Sequence, residues 1–94
     1  MPIDATQDPH GYIALQRRLR FIADECRAAG LPDAAAEVDR AMKFSVGSPS
    51  EFLHESEKAL GRLVEMSELP DSVRRLCNEV MRDIDRGFRA IGGA

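Results

Sequence analysis

The chain has 94 residues, 44% of them hydrophobic and 31% charged, with a formal net charge of −3. That composition excludes a disordered tail, and the length suits one ordinary domain rather than several. No apolar run approaches the roughly 18 residues of a membrane span, and the negative balance argues against general attraction to nucleic acid or anionic lipid.

Residues 1–9 read as a flexible leader whose polar, acidic start predicts no secretory signal. Asp8-Pro9-His10-Gly11 is turn chemistry, with Asp8 placed to cap a helix and Pro9 at its first position. From Tyr12 the apolar residues Tyr12, Leu15, Leu19, Ile22, Cys26 and Ala29 alternate spacings of three and four, the seam of a first helix. Gly30 is placed to end it in the left-handed conformation. Leu31-Pro32-Asp33 opens a second helix, with Leu31, Ala35, Val38 and Met42 as its seam, Ala34 and Ala41 beside it, and Val46-Gly47 as its stop.

Ser48-Pro49-Ser50-Glu51 carries a capping-box pattern and predicts the start of a third helix. Its dry arc holds Phe52, Leu53, Ala59, Leu60, Leu63, Val64 and Met66. Glu68-Leu69-Pro70-Asp71 breaks the chain again. A fourth helix runs from about Pro70 to Ile91, with Val73, Leu76, Cys77, Val80, Met81, Ile84, Phe88 and Ile91 facing inward. Residues 92–94 form a frayed tail. No segment alternates with period two, so the expectation is all-α: one helical domain over 1–94, an antiparallel four-helix bundle of two αα-hairpins.

Leu31-Pro32-Asp33 recurs as Leu69-Pro70-Asp71, 38 residues on. Either two hairpins were duplicated or a good helix-restart sequence was used twice; few identities outside the tripeptide favour the second. In an up-down-up-down bundle both turns lie at one end, which brings Cys26 and Cys77 toward each other on neighbouring helices. A redox pair is one reading. Two thiols serving as small hydrophobes is the stronger, since there is no Cys-x-x-Cys. Two cysteines inside apolar patterns also suit a reducing, cytoplasmic compartment. Arginine supplies 11 of the 13 basic residues, a bias of GC-rich bacterial-type genomes.

Chemistry is thinly signalled. Glu51 and His54 make a Glu-x-x-His pair of the kind that metal-binding bundles use twice and point inward. Here one pair stands opposite the Phe52/Leu63/Met66 stripe, so a metal site there needs a second subunit. His54, Lys58 and Gly61 share that outer face, where an imidazole can accept phosphate and a Lys can balance it. An exposed His with a nearby Lys and Gly on a four-helix bundle resembles the phosphoacceptor face of histidine-phosphotransfer domains. Those domains keep the Lys and Gly three and four residues after the His, whereas here they follow by four and seven, so the family is not assigned. No Gly-rich phosphate loop and no nucleophile–base–acid set occurs. No cofactor is expected, and an enzyme is the weaker expectation.

Arg17, Arg18, Arg20 and Arg27 make the first helix positive; Arg74, Arg75, Arg82, Arg86 and Arg89 do the same for the fourth, while Glu51, Glu55, Glu57, Glu65 and Glu68 make the third acidic. Charge complementarity between helices or subunits explains this better than a nucleic-acid patch, because no aromatics interleave for base stacking. The strongest signal is Phe21. At about 100° per residue it lies about 140° from the centre of the first seam. Ala14, Phe21 and Ala28 form a seven-residue line of their own, with Ile13 and Arg17 beside it, and Phe44 is similarly displaced on the second helix. A helix apolar on two faces usually buries both. The expectation is a non-catalytic interaction module that forms a homodimer, or docks a partner protein, through Phe21, Ile13, Ala14, Arg17 and Ala28.

Overall fold

The computed structural model describes residues 12–91, with side chains through residue 86. It contains α1 (Tyr12–Ala28), α2 (Pro32–Met42), α3 (Pro49–Val64) and α4 (Asp71–Ile91), and a short 3₁₀ turn (Lys43–Val46) continues α2. No strand occurs among the described residues. The expected leader, its Asp8-Pro9 cap and the tail lie outside them.

α1 packs on α2 and α4, and α3 packs on the same two helices, most extensively within the α1/α2 and α3/α4 hairpins. Chain neighbours therefore share faces and diagonals barely meet, as short connections dictate. One cluster fills the middle. It includes Leu19, Ile22 and Cys26 of α1, Val38 of α2, Leu60 and Leu63 of α3, and Cys77, Val80 and Ile84 of α4. Tyr12 stacks edge-on against Phe52, ring centres 6.4 Å apart. The seams follow the 3.6-residue rhythm, with Leu76 and Met81 of α4 only half-buried. Ala29 is exposed because α1 has already stopped, and Ala23, outside the expected seam, is buried. Phe88 and Ile91 lie outside the described side chains.

Each turn follows from its residues. Gly30 has φ +77°, the Leu31 N–H donates to Cys26 O at 2.8 Å, and the Gly30 N–H donates to Arg27 O at 3.0 Å. These are the two bonds of a Schellman cap, which only a residue without a Cβ closes cheaply. Pro32 then occupies the first position of α2. The capping box expected at Ser48 is not formed. Pro49 supplies a first position with no donor to satisfy, and the Phe52 N–H to Ser48 O bond (3.0 Å) starts α3 while the Ser48 hydroxyl makes no cap bond.

α2 ends four residues before the expected Val46. Residues of a 3₁₀ turn advance about 120° rather than 100°, so two of them carry Phe44 about 40° further round. That brings Phe44 half-buried onto the core rather than out on a second face, and leaves Val46 exposed.

Candidate interaction face

The orientation of α1 is fixed from both flanks. Arg18 donates to Asp83 of α4 at 2.5 Å, and Arg27 donates to Asp39 of α2 and to Asp24 one turn back at 3.0 Å. Between these clips runs the strip opposite the core. Phe21 stands in its middle, 53% exposed. Ala14, Arg17 and Ala28 are exposed along the same strip, and Ile13 is half-buried at its edge. The structure thus brings the five residues expected to form an interface onto one side of one helix. Phe21 and Val46 are the large hydrophobic residues left open among the described residues. Val46 sits in a turn beside Gly47 and Ser48, whereas Phe21 sits in the middle of α1.

The second candidate face, on α3, is less assembled. Glu51, His54 and Lys58 are all exposed. Lys58 Nζ lies 3.5 Å from Glu55 Oε2, so the cation that could balance a phosphate is held one turn away by a carboxylate. Glu55 also accepts from Arg40 at 3.0 Å, and Arg40 and Arg62 converge on Glu37. These bonds hold both carboxyls below their ordinary range, Glu55 chiefly through Arg40 and Glu37 chiefly through Arg62. A methyl group added at Gly61 would meet nothing within 4 Å, so packing does not require a glycine there. Among the described residues no three His, Cys, Asp or Glu side chains gather in a metal-binding group.

Cys26 and Cys77 are free and fully buried on adjoining helices. Burial pushes both thiols up, Cys77 to about 12, and a charge on Cys26 would be felt at Cys77. The two therefore share one neighbourhood as protonated groups with little nucleophilic character. The Leu-Pro-Asp turns also converge. Gly30 to Ala34 line an open depression of about 310 Å³ together with Met66 and Glu68, just before the second turn.

Two polar residues outside the expected sites also shape the bundle. Ser56 is fully buried, and its hydroxyl has no hydrogen-bond partner among the described residues. Its position was there to be read: at 100° per residue it lies at the centre of the arc from Phe52 to Leu63. Arg74 closes the open end of α3, with Nε donating to Val64 O at 3.1 Å, one terminal nitrogen to Met66 O at 2.6 Å and the other to Asp71 at 3.0 Å. Of the arginines read as positive faces, Arg18, Arg27, Arg74 and Arg86 meet acids of their own chain. Arg89 lies outside the described side chains. No described helix is long and apolar enough to cross a membrane. No family model matches the chain, and no curated protein or solved structure matches it either.

Proposed function

We propose that this chain is a non-catalytic interaction module of the cytoplasm that self-associates through the outer face of α1, with Phe21 as its anchor. The supporting observation is an aromatic ring half open to water on a helix whose opposite face is fully dry. Covering roughly 100 Å² of such a ring at about 25 cal/mol per Å² is worth about 2–3 kcal/mol per copy. Alanines one heptad to either side let a second backbone come close. A phosphate-accepting His54 is the alternative, less supported because Glu55 occupies Lys58.

Phe21→Glu tests the proposal. Sedimentation of the wild-type chain over a concentration series is expected to show a monomer–dimer equilibrium, and the variant to stay monomeric. The variant keeps its helical circular dichroism, because a surface substitution shifts stability by about 0.5 kcal/mol or less. A wild-type chain that is monomeric at about millimolar concentration, the weak end of the affinity scale, removes the self-association reading.

A further inference from the structure

The strip on α1 has an order that simple apolar exposure does not require. Read outward from Phe21, Arg17 lies four residues before and Glu25 four after, and Ala14 and Ala28 lie seven before and seven after. At 1.5 Å per residue the charges sit about 6 Å on either side of the ring and the alanines about 10 Å. The strip is symmetric in size and antisymmetric in charge about Phe21.

Other charges near Phe21 on α1, apart from the exposed Arg20, are already committed. Arg18 is bonded to Asp83, and Asp24 and Arg27 to each other. Arg17 and Glu25, which flank the ring on the strip itself, have no ion-pair partner among the described residues, although Arg17 is exposed and Glu25 half-exposed.

We infer that two copies pair α1 against α1 in antiparallel fashion, about a two-fold axis passing beside Phe21. This rests on the self-association reading above and deepens it by naming the orientation. Such an axis sets a residue n places before Phe21 against the residue n places after it in the partner. Each Arg17 then meets a Glu25, each Ala14 meets an Ala28, and the two rings meet at the centre. A parallel pairing would set Arg17 on Arg17 and Glu25 on Glu25, which like-charge repulsion opposes. The occupant of this face is therefore a second copy of the chain. The seam is one helix long, below the roughly 1,200 Å² of a standard stable interface, so the dimer is weak and salt-sensitive.

Charge reversal tests the orientation by sedimentation at low salt. Arg17→Glu and Glu25→Arg, each alone, turn two attractions into two repulsions and are expected to raise the dimer Kd about tenfold. Arg17→Glu combined with Glu25→Arg in one chain restores every pair in reversed sense and returns the Kd to near the wild-type value. A folding defect could not produce that recovery. If the wild-type chain dimerises and Phe21→Glu disperses it, yet both single reversals leave the Kd unchanged, the antiparallel register is overturned while the Phe21 face stands. If the wild-type chain is monomeric, or Phe21→Glu leaves the dimer intact, both readings fall.

Discussion

At the scale of the residue, Ser56 is a core side chain that its chemistry does not favour. Ser56 faces the centre of the bundle with Phe52, Ala59, Leu60 and Leu63 around it on α3, and its hydroxyl is fully removed from water. A hydroxyl stripped of water without a compensating bond costs about 1–3 kcal/mol, whereas deleting it opens a space smaller than a methylene. Ser56→Ala is therefore expected to raise stability by about 1 kcal/mol, read as a higher urea midpoint with an unchanged slope. A midpoint that falls would show that the hydroxyl is satisfied in solution. The thiols are the contrasting case. Cys26 and Cys77 are also buried polar letters, but sulfur is soft enough to behave as a small hydrophobe, and apolar neighbours keep it protonated.

At the scale of the element, the two hairpins end their first helices by different means. α1 spends a glycine: Gly30 takes positive φ and its own backbone closes the last carbonyls. α3 ends at Val64 without one: the Glu65 and Met66 N–H groups take Arg62 O and Leu63 O, and a guanidinium from the next helix takes Val64 O. Arg74 is thus the polar clip between α3 and α4, as Arg27–Asp39 is between α1 and α2, Arg18–Asp83 between α1 and α4, and Arg40–Glu55 with Arg62–Glu37 between α2 and α3. Charge-assisted bonds to the Val64 and Met66 carbonyls, the second of which also accepts from the Leu69 N–H, are worth about 1–3 kcal/mol together, so Arg74→Met is expected to lower stability by that amount. Arg74→Lys should recover less than half, since a single ammonium cannot span the planar fork. A lysine variant as stable as the wild type would mean that charge alone closes the helix. The glycine stop was legible in the sequence because Gly30 acts locally, between a periodic run and a proline. The arginine stop was not, because nothing local distinguishes Arg74 from Arg75; only the crossing of α3 and α4 does. For the same reason the seams were readable, whereas the partners of the long charged side chains depend on how far one helix has slid along another. A uniform step of about 100° puts Phe44 on an outer face, and the 3₁₀ turn breaks that step. The same step puts Phe21 in the open, where it is found, because it lies mid-helix, where the rhythm is least disturbed.

At the scale of the whole molecule, the charges and thiols together set a pH window for the fold. On the acid side, Glu37, Glu55 and Asp83 are held below their ordinary values by Arg62, Arg40 and Arg18. As pH falls below about 4.5 the unfolded chain takes up protons that the folded chain still refuses, so stability falls with pH. On the alkaline side the sign reverses. The Cys77 thiol is pushed up to about 12 from an ordinary 9.0, and Cys26 is raised as well. Above pH 9 the unfolded chain releases protons that the folded chain keeps, so stability falls as pH rises toward 12. The Tyr12 phenol, also raised by burial, adds to this fall above its ordinary 10.0. Urea midpoints should therefore trace a plateau near neutrality with a shoulder on each side. The combined Cys26→Ala and Cys77→Ala variant is expected to lower the plateau through lost packing, to leave the acid shoulder in place, and to flatten the alkaline shoulder where it begins near pH 9. The same thiols should resist alkylation at neutral pH in the folded chain and react once it is unfolded. An alkaline shoulder that keeps its full slope in the cysteine-free variant would assign that limb to Tyr12 instead, and would place the thiols in a wetter setting than two fully buried core positions.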